Sequence, residues 1–179
     1  MRKHAVAALW LFAASLVLVI SFVTIAEANT TLLDRTLSLS DLALQLKTPD
    51  KIAHYMWRHF LFEQDQRQFG KEEYWQTPEE FLASQKGDCE DFASFATALL
   101  RLNGTNAFIL NVYGDGYAHT LAVFEENGAY HVIDGTEVQR YEAKTLPELL
   151  EKIHPFWRMG AIVAPSSTGT GTILKQFNR

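Results

Sequence analysis

The sequence predicts an α+β domain in which N-terminal helices pack on a small antiparallel β-sheet. Two observations lead to this class. Across residues 40–103, apolar side chains recur every three or four positions, which is the spacing of helices with one buried face. From residue 107 onward, the chain changes to short apolar runs separated by turns rich in glycine and asparagine, which are typical of strands joined in hairpins. Helices followed by such strands define the α+β class.

Composition limits the classes of protein that this chain can represent. It has 179 residues, a formal charge of −5, 47% apolar residues and a single cysteine. The apolar content is sufficient for a packed core, and the acidic balance argues against a nucleic-acid-binding protein that neutralises phosphates. One cysteine excludes an internal disulfide and any zinc site built from four cysteines. The solitary thiol therefore needs another explanation.

Residues 1–28 have the features of a targeting segment. A basic start precedes an uncharged, largely apolar run over residues 5–26, and Ala26-Glu27-Ala28 fits the pattern of a cleavage site. The apolar run is also long enough to span a bilayer, so we expect either a cleaved signal peptide or an N-terminal membrane anchor. In both cases the rest of the chain is expected outside the cytoplasm, in the periplasm or the extracellular space. We predict a single domain over residues 29–164.

Two helices are predicted between residues 40 and 62. Ser40-Asp41 begins the first, and Thr48-Pro49 begins the second with a capping threonine and a proline in the first turn. Residues 63–71 are polar and are expected to form a surface loop. The second helix carries an apolar stripe whose members we expect in the core: Ile52, Ala53, Met56, Trp57 and Phe60.

Two further helix starts follow in close succession. Thr77-Pro78-Glu79-Glu80 is a capping box with proline at the first helical position, and its helix should run to about Gln85. Lys86-Gly87 should end that helix, because glycine readily adopts the left-handed conformation of a helix stop. Asp88 can cap the next helix, with Asp91 reaching back from three residues later. Apolar residues at helical spacing indicate that this helix is largely buried.

The rest of the chain predicts the sheet and one more helix. That helix should begin at Thr145 and end at His154-Pro155. The tail, residues 165–179, is rich in Ser, Thr and Gly and is expected to be flexible. Strands are expected over residues 107–113, 117–124, 129–134 and 161–164.

Cys89 occupies the first position of the helix that Asp88 caps. A helix N-terminus carries partial positive charge and free N–H groups, which favour a thiolate and can donate to a developing oxyanion. A lone cysteine in a helix is more often a small buried apolar residue than a nucleophile. The position of Cys89 is therefore informative only in combination with other catalytic groups.

The hairpin over residues 117–134 supplies such groups. A four-residue turn over residues 125–128 places His119 directly opposite Asp134, whereas a two-residue turn at Asn127-Gly128 places them diagonally. Both registers put the two side chains on one face of the sheet, because side-chain direction alternates along a strand. The same alternation excludes His131 as the partner of Asp134, since three residues separate them along one strand.

A cysteine thiolate, a histidine and an aspartate form the minimal apparatus for thiol-dependent acyl transfer. In this arrangement Cys89 attacks a carbonyl carbon, His119 takes and returns the proton, and Asp134 orients the imidazole. The arrangement predicts a thiol enzyme that acts on acyl compounds such as amides.

The segments around these residues resemble the transglutaminase-like superfamily of cysteine enzymes. The resemblance rests on Gly87–Ala93, Ala118–Val123 and Val132–Gly135, and Tyr74–Glu80 adds a likeness to its bacterial transglutaminase-like cysteine peptidase branch. It covers roughly residues 50–140, and its most specific part is the motif around the cysteine. The resemblance implies a papain-like fold and the triad Cys89, His119 and Asp134.

The resemblance also bears on metal binding. In one periplasmic peptidase subgroup, acids beside the cysteine bind calcium, and Asp88 and Glu90 stand at the matching positions here. Asp88, Glu90 and Asp91 should raise the pKa of the Cys89 thiol, so a protonated His119, capping hydrogen bonds or a bound cation must offset them. Two acids are far fewer than the ~6–8 oxygen ligands that calcium prefers. We therefore expect no required cofactor and treat calcium as a secondary hypothesis.

The second oxyanion donor is not determined by the sequence. Gln85 and Trp75 both carry N–H groups and lie shortly before Cys89, so both are candidates.

The leading functional hypothesis is an exported thiol hydrolase, similar to a cysteine peptidase, that cleaves amide bonds of a protein or peptide substrate. The alternatives are acyl transfer to an amine, as in a transglutaminase, and a non-catalytic binding domain that keeps the fold. Nucleic acid is not an expected partner, whereas membrane attachment through residues 5–26 is compatible with the sequence.

Overall fold

The computed structural model describes residues 37–165 and 169–179 of the chain, and residues 38–179 form a compact unit. The expected targeting segment, residues 1–28, lies outside the described residues. Within the described ranges, no helix is long and apolar enough to cross a bilayer.

Helices come first along the chain, and several begin at a hydroxyl side chain that accepts a hydrogen bond from a free backbone N–H. Thr48, Thr77 and Thr145 do so, as does Ser38, which starts the first helix two residues before the expected Ser40. The helices of the described residues are α1 (Leu39–Gln45), α2 (Pro49–His59), α3 (Asp65–Gln68), α4 (Pro78–Ser84), α5 (Cys89–Leu102) and α6 (Leu146–Ile153).

A six-stranded antiparallel sheet forms the second half of the domain, with strand order β6-β5-β4-β3-β7-β8. Its strands are β3 (Ala107–Gly114), β4 (Tyr117–Glu126), β5 (Ala129–Asp134), β6 (Glu137–Ala143), β7 (Trp157–Pro165) and β8 (Gly171–Asn178). β1 (Leu61–Phe62) and β2 (Lys86–Gly87) form a separate parallel pair, and β2 lies directly before α5. The α+β prediction is confirmed.

The central helix α5 is buried along most of its length and packs on β4 and β3. A cluster of aromatic rings fixes its other side. Phe92 and Phe95 of α5 contact Phe60 and Phe81 at ring-centroid distances between 4.9 and 6.2 Å. The rings of these pairs meet edge to face, which is a favourable arrangement for aromatic side chains. The contacts fix the position of α5, whose first residue is Cys89.

Two local predictions before α4 are wrong. Trp57 is 63% exposed rather than buried, because it is rotated about 100° around α2 from Met56 and falls outside the buried stripe. Residues 63–71 are not a simple surface loop, since they contain α3, whose first residue Asp65 is only 2% exposed. A buried carboxylate requires polar partners, and the Asp65 carboxylate accepts a hydrogen bond from the Tyr74 backbone N–H.

The expected flexible tail, residues 165–179, is also a wrong prediction for the residues that the structure describes. Gly171–Asn178 form β8, which pairs with β7 at the edge of the sheet. An edge strand is held by backbone hydrogen bonds, so its composition need not show an apolar face. The segment before β8 also contacts Trp75, whose backbone N–H donates to the carbonyl oxygen of Gly169 at 2.9 Å.

Gly87 has a different role from the predicted helix stop. The left-handed residue at the end of α4 is Gln85, with φ of 55°. Gly87 instead lies against Asp91, because a Cβ atom added at Gly87 would lie 2.1 Å from Asp91 Oδ2 and 2.8 Å from Asp91 Cβ. Glycine is required there so that β2 can approach the first turn of α5.

We expect Gly87→Ala to lower the free energy of unfolding by about 2–3 kcal/mol, because the added methyl overlaps a buried carboxylate. Gly104→Ala is the control for backbone strain without a clash: its φ of 79° is unfavourable for alanine, unlike the φ of Gly87, but open space surrounds its Cα. That variant should cost only about 1 kcal/mol. Urea denaturation of both variants measures the difference, and equal losses would contradict a steric role for Gly87.

Candidate active site

Cys89 is half-buried at the start of α5, where β2 leads into the helix. Two cavities meet at this residue, with volumes of about 410 and 210 Å³, and both are also lined by His119. The larger cavity contains Asp134 and has apolar walls, and the smaller one contains Asp88 and Glu90. The fold therefore brings the three predicted triad residues to one cleft.

The hairpin between β4 and β5 uses the tighter of the two predicted turns. Glu126 pairs with Ala129, so Asn127 and Gly128 form a two-residue turn in which both φ angles are positive, 54° and 69°. Asp134 consequently lies diagonally across from His119 and not directly opposite it. In this diagonal placement the side chains of His119 and Asp134 are still on the same face of the sheet, as both predicted registers require.

His119 and Asp134 form a direct hydrogen bond, with 2.7 Å between His119 Nε2 and Asp134 Oδ1. Both side chains are partly exposed, so the pair borders the cleft and is not sealed in the core. The carboxylate fixes the orientation of the ring, and it leaves Nδ1 as the ring nitrogen available to exchange a proton with another group.

Within the described part of the chain, the other histidines lie away from this pair. His54 and His59 are on α2, and the backbone N–H of His154 ends α6. His131 is buried on β5, opposite Phe124, and therefore faces the other side of the sheet from Asp134, as the alternation predicts.

Burial and a neighbouring carboxylate keep Cys89 in the thiol form in this arrangement. Burial raises the pKa of the Cys89 thiol to about 12, and the Glu90 carboxylate adds to the shift. Cys89 Sγ donates to Glu90 Oε2 at 3.3 Å, which also favours the protonated thiol. The expected helix-terminus effect on the thiol is therefore outweighed until the nearby negative charge is offset.

The acids around Cys89 belong to a larger cluster than the sequence indicates. Asp65 and Glu73 join Glu90 in a set of three carboxylates whose oxygens lie within 4.8 Å of one another, and Asp65 forms a second such set with Asp88 and Asp91. Asp65 comes from α3 and Glu73 from the segment before α4, so neither was identified as a site residue from the sequence. Their distance from Cys89 along the chain removes any local signal that could have revealed them.

Asp91 serves a structural purpose within this cluster. Its carboxylate accepts hydrogen bonds from the backbone N–H of Gln76 at 2.8 Å, from Gln76 Nε2 at 2.6 Å and from the Asp88 backbone N–H at 3.3 Å. The last of these hydrogen bonds is the one predicted between the Asp91 side chain and the residue that caps α5. Because both oxygens are already engaged, Asp91 ties the segment before α4 to the start of α5.

Other oxygens of the cluster are buried without a hydrogen-bond partner, namely Asp65 Oδ1, Asp88 Oδ1 and Glu90 Oε1. Burial raises the pKa of Glu90 well above its usual range, and the neighbouring Asp88 adds to the shift. Burial likewise raises the pKa of Asp65. Several buried carboxylates with unused oxygens are the donor set that a hard cation such as Ca²⁺ prefers, so the residues fit such an ion.

The two predicted oxyanion candidates do not line the cleft. Trp75 is buried, and its indole Nε1 donates to Glu73 Oε1 at 2.6 Å, which commits it to the acidic cluster. The Gln85 backbone N–H donates to the Phe81 carbonyl oxygen at 2.9 Å. Neither residue is among those that line the two cavities beside Cys89. Both N–H groups of Trp75 therefore already have acceptors, the indole N–H in Glu73 and the backbone N–H in the carbonyl oxygen of Gly169.

A helix-borne cysteine beside a histidine–aspartate pair on an antiparallel sheet is the arrangement of thiol enzymes that transfer acyl groups. The chain belongs to the family described as the transglutaminase-like domain, whose model matches residues 35–152. This result confirms the family resemblance that the cysteine, histidine and aspartate segments predicted.

A curated relative, a UPF0252 protein of Archaeoglobus fulgidus, is 38% identical over 63 residues. The match covers 34% of this chain, and the chain spans only a fifth of the length of that relative.

Solved structures with a similar fold include LapG of Legionella pneumophila. Its calcium-bound form has a TM-score of 0.48 and 20% identity, with 67% of each chain covered. The EGTA-treated form has a TM-score of 0.49 and 17% identity, with 76% of this chain and 77% of that chain covered. A proposed cysteine protease from Cytophaga hutchinsonii has a TM-score of 0.45 and 13% identity, with coverage of 79% and 49%.

Proposed function

We propose that this protein is a thiol hydrolase that cleaves amide bonds of proteins or peptides through an acyl-enzyme at Cys89. The observation that carries the proposal is the 2.7 Å hydrogen bond between His119 Nε2 and Asp134 Oδ1 in the same cleft as Cys89. A histidine oriented by a carboxylate beside a helix-borne thiol has no structural role that packing alone would require.

The reaction follows from these positions. His119 takes the thiol proton on Nδ1 while Cys89 Sγ bonds to the substrate carbonyl carbon, and Asp134 stabilises the resulting imidazolium through Nε2. The imidazolium then returns the proton to the leaving amine as the carbon–nitrogen bond breaks, which leaves a thioester on Cys89. Water, deprotonated by His119, hydrolyses the thioester and restores the thiol.

The N-terminus of α5 can stabilise the negative charge that develops on the substrate oxygen. The first N–H groups of a helix are not used within the helix, and they lie beside the nucleophile because Cys89 is the first residue of α5. The backbone N–H of Cys89 is accordingly the donor that we assign to the oxyanion.

We further propose that Asp65, Glu73, Asp88 and Glu90 hold a calcium ion. The buried, unpartnered oxygens of Asp65, Asp88 and Glu90 support this assignment, and Glu73 lies close to Asp65 and Glu90. When bound, the ion would neutralise the carboxylates beside Cys89 and so favour the thiolate. The fold brings these acids together around the start of α5 from three segments: α3, the residues before α4, and the start of α5 itself.

We propose an exported location for the enzyme, on the basis of the targeting features of residues 1–28. Its substrate would then be an exported protein or peptide, and the enzyme could remain attached to the membrane through residues 5–26.

Alkylation of the single cysteine tests the proposed function. We expect iodoacetamide to label Cys89 at least ~10-fold faster in the wild-type protein than in His119→Ala, because the imidazole withdraws the thiol proton. His54→Ala is the matched control, since His54 is exposed on α2 and should leave the rate unchanged. Mass spectrometry of the adduct measures the rates. Equal labelling of all three proteins would indicate an inert thiol and contradict the proposal.

A further inference from the structure

The strand β1 presents two consecutive apolar side chains to solvent. Leu61 is 64% exposed and Phe62 is 65% exposed. Their backbone is held in place by β2, because the Leu61 N–H donates to the Gln85 carbonyl oxygen at 2.9 Å and the Glu63 N–H donates to the Gly87 carbonyl oxygen at 2.8 Å. Single exposed apolar residues are ordinary on protein surfaces, so the position of each side chain relative to the cleft decides whether it can bind another group.

Phe62 belongs to the catalytic cleft, whereas Leu61 does not line it. The 410 Å³ cavity that contains Cys89, His119 and Asp134 has Phe62 and Phe92 as its aromatic wall. Adjacent residues of a strand direct their side chains to opposite sides, which explains why only one of the two exposed residues reaches the cleft. Phe92 is buried in the core, so Phe62 is the aromatic residue of this wall that still has a free surface.

The backbone of β1 can also contact a bound chain. Because the N–H groups of Leu61 and Glu63 point to β2, the intervening N–H of Phe62 is directed away from it. An extended peptide can pair with such a free strand edge while placing alternate side chains into neighbouring pockets. A small molecule has no strand backbone to pair with this edge, so the two features together favour an extended peptide.

We infer that Phe62 forms an apolar subsite of the cleft and that the substrate is an extended peptide with a large apolar side chain within two residues of the scissile bond. This inference rests on the proposed hydrolase function for its catalytic part. The cavity beside Cys89 has room for a leucine or phenylalanine side chain, and packing on the Phe62 ring removes apolar surface of both partners from water.

Internally quenched peptides test this subsite. We expect the wild-type protein to hydrolyse peptides with leucine or phenylalanine near the scissile bond at a higher kcat/KM than the matched alanine peptides. Phe62→Ser should reduce kcat/KM for the apolar peptides by about tenfold more than it reduces kcat/KM for the alanine peptides. Leu61→Ser is the matched control, since it removes an equally exposed apolar residue of the same strand and should alter neither series.

Binding without turnover separates this inference from the proposed function. In the Cys89→Ala background, fluorescence titration of the same peptides should show tighter binding of the apolar series, and Phe62→Ser should remove that preference. If the preference is present in binding while the wild-type protein hydrolyses nothing, the hydrolase proposal fails and the subsite stands. If neither binding nor hydrolysis distinguishes the two series, or if Phe62→Ser and Leu61→Ser behave alike, the subsite is overturned.

Discussion

Cys89→Ala should reduce peptide hydrolysis by at least ~10⁴-fold, because no other group can form the thioester with the substrate. The fold should be unaffected. Cys89 is half-buried at the first position of α5, and alanine is well tolerated in a helix. Hydrolysis of a quenched peptide measures the loss, and thermal unfolding of the variant checks that the domain remains folded.

Asp134→Asn is an informative companion to this variant. Asparagine can keep a hydrogen bond to His119 Nε2 but cannot stabilise an imidazolium, so we expect a large loss of kcat while the cleft keeps its shape. Asp115→Asn is the charge-matched control, because Asp115 is an exposed residue that pairs with Arg158. Full activity of Cys89→Ala would exclude the covalent mechanism, whatever the activities of Asp134→Asn and Asp115→Asn.

Calcium at about 100 times its Kd should raise the melting temperature of the protein by roughly 5–10 °C, since binding to the folded state alone adds about 2.7 kcal/mol. The ion would replace the electrostatic repulsion of Asp65, Asp88 and Glu90 by coordination. Differential scanning calorimetry with calcium and with chelator measures the shift. Terbium is a second readout, because Trp75 donates to Glu73 and lies close enough to sensitise terbium luminescence from the site.

Asp65→Asn should abolish most of the calcium-dependent shift and the terbium signal, and it should not lower the stability of the metal-free protein. Asparagine keeps an acceptor for the Tyr74 N–H while removing a buried negative charge. Glu72→Gln is the control: it removes one charge from the segment that carries Glu73, but Glu72 is exposed and lies outside the cluster. An unchanged melting temperature of the wild-type protein in calcium, together with full activity in chelator, would remove the metal from the proposed function.

Much of the site could be predicted from the sequence because its signals are local. A capping aspartate followed by Cys89 defines a helix start within a few residues, and alternation along two strands places His119 and Asp134 on one face for either turn length. The transglutaminase-like resemblance was carried by the same short segments and is confirmed by the family match over residues 35–152.

The remaining parts depend on contacts between segments that are distant along the chain. The choice of the two-residue turn depends on how β4 and β5 pair within the whole sheet, and the exposure of Trp57 depends on which side of α2 meets the core. The strand β8 exists because β7 offers it an edge, although its composition resembles that of a flexible tail.

The sequence by itself therefore determined the class of the fold, the helix that carries Cys89 and the shared face of His119 and Asp134, because caps and periodicity act over one or two turns. Only the tertiary structure decided that Asp65 and Glu73 join the acids beside Cys89 and that Phe62 lines the cleft. Asp65 and Phe62 come close to the site because α3 and β1 both contact β2, which leads directly into α5. No local pattern encodes such an approach, because it is set by the burial of the whole core.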